Sequence, residues 1–161
     1  MSKVHIRRTW NPYLIGSIML HPDIWATVAE DGQDPGDFNP DPEHDAWLVV
    51  SVDHIEIGIF HLPRFNGVTL EIHAQVLPEY RKEYSKASGR AALNWIYDNV
   101  TWCKKVIAWV PTTYPNVKNY ARSMGFKTEG KSRESYLKNG ELVDQWLLGI
   151  TRTEIGELRH G

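Results

Sequence analysis

The stretch VTLEIHAQVLPEYRKEYSKASGRAALNWI, residues 68–96, changes its hydrophobic period halfway along. Every second residue from Val68 to Val76 is apolar, and this alternation predicts a strand with one apolar face. Pro78 ends the predicted strand. Helical spacing then predicts a helix over residues 86–100, whose apolar side chains include Ala92, Trp95, Ile96 and Val100. The stretch therefore predicts a strand that leads directly into a helix.

The polar face of the predicted strand carries Glu71, His73 and Gln75, which the two-residue period places on one side. A carboxylate one pleat from an imidazole can act as a general base, directly or through water, if burial raises its pKa toward neutral. A half-solvated face beneath a helix is the alternative interpretation. The pattern makes Glu71 and His73 candidate proton acceptors and leaves that alternative open.

Basic residues collect where the strand gives way to the helix, at Arg81, Lys82, Lys86 and Arg90. A helix start with free backbone N–H groups and a positive dipole end can bind phosphate or pyrophosphate. The alternative is a solvated basic helix face, and the interleaved Glu79 and Glu83 dilute its charge. The sequence therefore predicts either an anion site or an exposed surface here.

Other patterns complete an α/β fold. They predict a strand at residues 4–9, one or two helices after Asn11-Pro12 that break near His21-Pro22, a long loop from Asp31 to Asp45, a hairpin at Asp53-His54, a strand in KKVIAWV, a helix in NVKNYARSMG closed by Gly125, and a hairpin at Asn139-Gly140. This order predicts a single domain over residues 1–161, with a mixed, mostly antiparallel central sheet and helices on both faces. The long loop is either functional or a solvated connector.

Composition argues against several classes of protein. The formal net charge is -2 and the seven tryptophans are dispersed, so nucleic-acid binding is not expected and we interpret the tryptophans as core residues. The seven histidines lack short ligand spacing, and no metal site is expected. No apolar run suits a signal peptide or a membrane span, and the single cysteine, Cys103, fits a buried inert thiol. These features favour a cytoplasmic location.

Two motifs resemble the GNAT superfamily of acyl-CoA-dependent N-acyltransferases. EIHAQVLPEYRK, followed by a helix, resembles the family's central strand, Val-x-Pro-x-x-Arg exit and cofactor-binding helix. ARSMGFKTEGKSRESYLKNGELVDQWLLGI resembles the end of the same fold, nearest the branch of ribosomal-protein N-terminal acetyltransferases. Its matching positions are Gly125-Phe126, Glu129-Gly130, Arg133 and Asp144, and the resemblance covers residues 45–151. The chain is also similar to GNAT-like proteins of tailed phages, some labelled head-assembly proteins.

The resemblance implies roles for particular residues. The central strand would splay from its neighbour and pair with the pantetheine of acetyl-CoA, while the pyrophosphate would lie on the following segment. Glu71 would be the general base, assisted by His73. The family's tyrosine position, four residues before the Gly of Gly-Phe, falls on Ala121, so the candidate proton donor to the departing thiolate is the adjacent Tyr120, which also fits the apolar stripe of its helix. The implied cofactor-binding residues are Gln75, Val76, Leu77, Arg81, Lys82, Lys86, Ala87, Ser88, Gly89 and Asn116.

The family's phosphate loop reads Arg/Gln-x-x-Gly-x-Gly/Ala, whereas Arg81 is followed by KEYSKASG with no glycine before Gly89. Such a loop is expected to narrow or reshape the pyrophosphate site. Two functions follow. One is an acetyl-CoA-dependent N-acetyltransferase that acts directly on an amine of a protein N-terminus, a lysine or a small molecule. The other is an inactive GNAT-fold structural or interaction protein, for example in phage head assembly. A homodimer through edge strands is compatible with either.

Overall fold

The structure is a computed structural model that describes residues 3–160. Its elements are, in chain order, β1 (Val4–Arg8), α1 (Pro12–Met19), α2 (Pro22–Val28), a short 3₁₀ helix (Pro35–Asp37), β2 (Ala46–Val52), β3 (Ile55–Leu62), β4 (Thr69–Glu71), β5 (His73–Val76), α3 (Pro78–Asn99), β6 (Lys105–Pro111), α4 (Pro115–Ser123), β7 (Lys127–Lys138), β8 (Glu141–Thr151) and α5 (Arg152–His160). The predicted mixed α/β class is confirmed.

The predicted strand over residues 68–76 is interrupted at Ile72. Strand β4 pairs in parallel with β6 in a sheet of order β4-β6-β8-β7, whereas β5 pairs antiparallel with β3 in a sheet of order β1-β2-β3-β5. The Ile72 backbone N–H donates to the Ile107 carbonyl at 2.9 Å, and beyond it the chain leaves β6 for β3. The expected central sheet is therefore two four-stranded halves that separate between β5 and β6.

Both faces of the first half-sheet are buried, as alternation along β2 dictates. Leu48 and Val50 face the larger core, which includes Leu93 and Ile96 of α3. The opposite face packs on α1 and α2 through a smaller core composed of Ile15, Ile18, Ile24, Trp47, Val49 and Ile59. Helices thus cover both faces, as predicted, and the half-sheet is a rigid support for β5.

Local turn and capping signals are confirmed. The Asn11 side chain accepts a hydrogen bond from the Tyr13 N–H at 2.9 Å, so it caps α1. The hairpin turns at Asp53-His54 and Asn139-Gly140 have positive φ at both central residues, which suits the twist of the flanking strands. Gly125 follows α4 with a φ of 103°, a conformation that glycine adopts without a Cβ clash.

Two expectations are corrected by the fold. Trp10 is not a core residue, because 58% of its surface is exposed. Helix α5 was not predicted, although Thr151 and Glu154 carry the sequence signal of a capping box. The Thr151 N–H donates to Glu154 Oε1 at 3.0 Å, and the Glu154 N–H donates to Thr151 Oγ1 at 3.1 Å. This reciprocal cap starts a helix directly at the end of β8.

Candidate active site

A cleft of about 1170 Å³ opens where β5 separates from β6. One end lies at the beginnings of α3 and α4, and the other lies between α2, the loop after it and the β7–β8 hairpin. We refer to these as the helix end and the loop end. Of the predicted site residues, those that line the cleft are Glu71, His73, Gln75, Val76, Arg81, Lys82, Gly89, Asn116 and Tyr120. The structure thus places most of the candidates in one cavity.

Glu71 and His73 meet at the middle of the cleft. Glu71 Oε2 lies 3.2 Å from His73 Nε2, and the side chains are 24% and 45% exposed. The hydrogen bond from His73 holds the pKa of the Glu71 carboxyl below its usual value, and this effect outweighs the opposing effect of burial. The expected rise of the Glu71 pKa toward neutral is therefore not found. Glu71 is therefore a carboxylate that can orient the His73 imidazole through this hydrogen bond.

A second carboxylate–imidazole pair lies beside the first. His61 Nε2 lies 2.9 Å from Asp45 Oδ2, and the His61 ring stacks on Trp47 with 3.9 Å between ring centroids. His61 is opposite His73 in the β3–β5 register, and their ring centroids are 5.7 Å apart. The sequence analysis missed Asp45 and His61. A correct pairing register for β3 and β5 would have identified His61 as a candidate, since cross-strand neighbours on one face contact each other.

The surroundings set the protonation of His61. Burial lowers the pKa of its imidazole, and the hydrogen bond to Asp45 opposes this effect. Burial has the larger effect and favours the neutral ring. A carboxylate only accepts hydrogen bonds, so the ring proton belongs on Nε2 and Nδ1 carries a lone pair.

The open edge of β5 faces the cleft. The Leu77 N–H donates to the Ile57 carbonyl at 2.8 Å, so the backbone groups of Leu77 and Gln75 face β3. By alternation, the backbone groups of Ala74 and Val76 face the gap toward β6. The Val76 carbonyl already accepts a hydrogen bond from Arg81 Nε at 2.8 Å. An extended ligand strand in this gap would therefore face the backbone groups of Ala74 and Val76, whereas those of Gln75 and Leu77 are turned toward β3.

Helix α3 begins at Pro78, about two turns earlier than predicted. Residues 82–89 consequently lie inside the helix, where each N–H donates to the carbonyl four residues earlier. The expectation that backbone N–H groups over Arg81–Gly89 are free is wrong, because a segment without glycines continues the helix. Only side chains remain for a pyrophosphate on this segment, and those at the cleft belong to Arg81, Lys82 and Ser85.

The other predicted cofactor residues on α3 lie away from the cleft. Lys86 is exposed and Ala87 is half-buried, and neither lines the cavity. Ser88 is fully buried, and its hydroxyl has no partner among residues 3–160. Leu77 is the N-cap residue of α3 and also lies outside the cavity. These four residues support the helix rather than the cleft wall.

Tyr120 joins α4 to α3. Its hydroxyl donates to the Ser85 carbonyl at 2.7 Å, and burial raises the pKa of Tyr120 to about 12. The close approach depends on Gly89, since a Cβ there would meet Tyr120 Oη and Met124 Cε. The phenol is therefore protonated at neutral pH, and its O–H group is used in a hydrogen bond to the backbone of α3. Asn116, in contrast, is exposed in the first turn of α4 and borders the cleft.

Charge is segregated along the cleft. The loop end and the middle contain four carboxylates, namely those of Glu30, Asp41, Asp45 and Glu71. Among the lining residues that the structure describes, the lysine and arginine side chains are Lys82 and Arg81, both at the helix end. Aromatic rings also border the loop end, where Phe38 makes edge contacts with Trp25 and Trp47 at 6.1 and 6.2 Å. The loop end is thus suited to a cation and the helix end to an anion.

The β7–β8 hairpin is tied to the end of α2. The Asp31 carboxylate accepts hydrogen bonds from the N–H groups of Asn139 and Gly140, at 2.9 and 2.7 Å. These bonds, the Gly140 bond foremost, lower the pKa of Asp31. Lys138 Nζ donates to the Ala26 carbonyl at 2.9 Å and also to the Ala29 carbonyl. The ties fix the outer wall of the loop end.

With this geometry in place, the chain can be compared with known proteins. A family model described as "Protein of unknown function (DUF2824)" matches residues 15–160. The chain belongs to this DUF2824 family. No curated protein sequence matches the chain.

Solved structures show the fold. A spermidine N-acetyltransferase from Vibrio cholerae, in complex with CoA and spermine, superimposes with a TM-score of 0.78 at 17% identity over 95% of this chain and 98% of that chain. The spermidine/spermine N-acetyltransferase SpeG from Vibrio cholerae, in complex with manganese ions, gives 0.73 at 16% identity over 99% and 97%. This DUF2824 protein therefore has the predicted GNAT fold. Within residues 3–160, no helix is long and apolar enough to cross a membrane.

Proposed function

We propose that this DUF2824 protein is an acetyl-CoA-dependent N-acetyltransferase that transfers the acetyl group directly to an amine. The supporting observation is the separation of β5 from β6, which opens a cleft that holds both the Glu71–His73 pair and the free backbone edge of β5. One wall of the cleft can align an acyl thioester, and its middle carries proton acceptors within reach of it. This is the arrangement that acyl transfer to nitrogen requires.

We propose that the acceptor is a cationic amine. Four carboxylates border the loop end and the middle of the cleft, and the basic lining residues lie at the opposite end. A positively charged amine gains from this field before it reacts, and its apolar portion can contact Trp25 and Phe38. The related fold of the Vibrio cholerae enzyme is seen with CoA and spermine, so a polyamine is a reasonable first acceptor to test.

Acetyl-CoA fits the cleft in part. Its thioester supplies the acyl group, and its pantetheine amides match the Ala74 and Val76 backbone edge, with Asn116 across the cleft. Arg81 and Lys82 would meet the pyrophosphate with their side chains, since the helical backbone of α3 has no free N–H groups over residues 82–89. We expect the cofactor to be held by charge and by strand pairing rather than by a glycine-rich cradle.

In the proposed reaction, the Glu71 carboxylate holds His73 with its Nε2–H donated and its Nδ1 free to accept a proton from the attacking nitrogen. The nitrogen attacks the thioester carbonyl carbon, and the electron pair of the C–S bond leaves with sulfur. The thiolate needs a proton, and the hydroxyl proton of Tyr120 is hydrogen-bonded to the Ser85 carbonyl. We therefore assign that proton to the Glu71–His73 pair instead of to Tyr120.

The test is calorimetric titration of the purified chain with acetyl-CoA and with CoA, followed by turnover assays with spermine. We expect binding in the micromolar range and release of free thiol only when both substrates are present. Glu71→Gln should lower kcat by roughly 10²-fold or more while acetyl-CoA binding is kept. Glu56→Gln, an exposed carboxylate on β3 that pairs with Arg7, is the matched control. Unchanged turnover in Glu71→Gln would remove Glu71 from the mechanism.

One observation favours a second candidate, a GNAT-fold structural or interaction protein without catalysis. The α3 helix extends through the segment that forms the phosphate loop in the family, and Arg81 occupies the Val76 carbonyl. A ligand that binds the native state alone raises its stability, so this candidate predicts no thermal shift with millimolar CoA. A part in phage head assembly, the nearness to the ribosomal-protein branch, and a homodimer stay predictions.

A further inference from the structure

We propose that the Asp45–His61 pair is a second proton acceptor of this site, which takes the first proton from a cationic amine before the amine attacks. The inference rests on the proposed function, because it assigns a residue to one step of that reaction. The pair lies outside the motifs that resemble the GNAT pattern. The observation behind the inference is that two carboxylate–imidazole pairs lie in one cleft.

The chemistry requires two proton acceptors. An alkylammonium ion has a pKa of roughly 10, so at pH 7 the acceptor enters the cleft as R–NH3⁺ and cannot attack. It must lose one proton to become a nucleophile and a second proton when the amide forms. The departing thiolate takes up one of these protons, and a second imidazole can hold the other within the site.

The structure places two imidazoles side by side in the cleft. The His61 and His73 ring centroids lie 5.7 Å apart, and each ring has its Nε2 against a carboxylate, at 2.9 Å for Asp45 and 3.2 Å for Glu71. With Nε2–H donated, the lone pair on each Nδ1 can receive a proton. All four side chains line the cleft.

His61 is held more firmly than His73. Its ring stacks on the buried Trp47 at an interplanar angle of 8°, and Asp45 is 23% exposed. The charged or titratable groups that face His61 are Asp45 on the loop before β2, Glu71 and His73 on the neighbouring strands, and His44, whose Nε2 lies 3.8 Å from the other Asp45 oxygen. Burial lowers the pKa of His61, so the ring is ready to accept a proton at pH 7.

The proton balance closes with these assignments. One N–H bond of R–NH3⁺ breaks and its proton moves to His61 Nδ1, which gives an imidazolium stabilised by Asp45. The C–N bond then forms, the C–S bond breaks, and the second proton leaves nitrogen for the Glu71–His73 pair, which passes it to the thiolate. The products are the amide, the thiol and one proton on His61, which water later removes. Asp45 is a positioning residue in this scheme.

The test compares two acceptor amines in His61→Gln and in the wild-type chain. One amine is an alkylamine, and the other is its trifluoromethyl analogue, whose electron-poor nitrogen is largely neutral at pH 7. We expect His61→Gln to lower kcat/KM roughly 10²-fold for the alkylamine but only about threefold for the analogue, which has no first proton to lose. His54→Asn, at an exposed position in the β2–β3 turn, is the control and should change neither value.

Asp45→Asn gives a second readout. Loss of its charge should lower the pKa of His61, so the rise of kcat/KM with pH should move to lower pH. Histidine ¹⁵N NMR of the free wild-type chain should show His61 neutral at pH 7 with the proton on Nε2, and Asp45→Asn should change this tautomer population. A structural role of Asp45 would not shift the pH profile.

The outcomes separate the two proposals. Wild-type protein without turnover on either amine would overturn the proposed function, and this inference with it. Turnover in which His61→Gln slows both amines equally, or neither, would overturn this inference alone. A His61 that is protonated at pH 7, or that carries its proton on Nδ1, would overturn it as well. If His61→Gln does not fold, Asp45→Asn and the NMR measurement decide.

Discussion

The two ends of the cleft satisfy their polar groups in opposite ways. At the helix end, Arg81 donates to the Val76 carbonyl and Tyr120 donates to the Ser85 carbonyl, so the wall is hydrogen-bonded to itself. At the loop end, carboxylates such as Glu30 and Asp41 accept bonds from backbone N–H groups and have no lysine or arginine beside them in the described lining. The polar groups of the helix end are hydrogen-bonded to each other, whereas the carboxylates of the loop end have backbone partners only.

This difference indicates where binding costs fall. A cation entering the loop end adds a charged partner to carboxylates that accept only backbone N–H groups, so little existing structure has to change. A ligand strand at the helix end must take the Val76 carbonyl from Arg81, so it exchanges one hydrogen bond for another and gains little net free energy. Affinity for the acyl donor then depends on the charges of Arg81 and Lys82 with the diphosphate. Acyl-donor binding should therefore weaken as salt concentration rises.

The largest expected effect comes from breaking the tight helix end with Gly89→Ala. The new Cβ would meet Tyr120 Oη and Met124 Cε, the latter at 3.0 Å, and would push α4 from α3. Overpacking costs about 1–3 kcal/mol, and the better helix propensity of alanine returns up to about 1 kcal/mol. We expect a net loss of about 1–2 kcal/mol in the free energy of unfolding, measured by urea denaturation.

Gly16→Ala is the matched control for this substitution. Gly16 lies in α1, and the nearest atom to its Cβ position, Leu20 Cδ1, is 4.0 Å away. Alanine should therefore stabilise the chain there by about 0.5–1 kcal/mol. Opposite signs at the two glycines would support the tight α3–α4 contact. A stabilising Gly89→Ala would show that the helix end can open, and the contrast between the two ends would fail.

A smaller effect is expected when Tyr120 and Tyr136, two half-buried tyrosines of the cleft whose hydroxyls donate to backbone carbonyls, are each changed to phenylalanine. Tyr120→Phe removes a 2.7 Å bond to Ser85 at the helix end, and should cost about 1 kcal/mol. Tyr136→Phe removes a 3.3 Å bond to the Val28 carbonyl at the loop end and should cost less. Thermal unfolding measures both. A kcat that falls roughly 10²-fold in Tyr120→Phe would show that Tyr120 is the acid after all.

The sequence predicted features that depend on neighbours along the chain. Glu71 and His73 were placed together because residues two apart on a strand share a face, and the turns were found because their φ values demand particular residues. The start of α3 was missed although its signals were present, since Pro78 suits the first helical turn and KEYSKAS contains no residue that stops a helix. The predicted start followed the apolar helical spacing, whose first residue is Ala92, instead of these local signals.

Features that depend on pairing between distant segments could not be read from the sequence. The break at Ile72 arises because β4 and β5 join different sheets, a choice made by β6 and β3 rather than by residues 68–76. His61 became part of the site through its register with His73, which a one-residue slip would have reversed. Asp45 lies at the end of a loop whose path no periodicity defines. The candidate site was therefore predicted on one strand and missed on its partner.

The smallest effect is expected at the loop end, where Asp31→Asn should loosen the hairpin tip without changing the helix end. The Asp31 carboxylate accepts the N–H groups of Asn139 and Gly140, and an amide oxygen is a weaker acceptor for both. Amide hydrogen exchange at Asn139 and Gly140 should accelerate, whereas exchange within Pro78–Asn99 should not change.

Because its folded-state pKa is lowered, Asp31 stabilises the hairpin tip above its unfolded-state pKa, and that contribution is lost as pH falls through the folded-state pKa. Asp37→Asn, an exposed position in the same loop, should alter neither region. Faster exchange in α3 as well would mean that the two ends of the cleft open together, and the contrast between an independent loop end and helix end would be wrong.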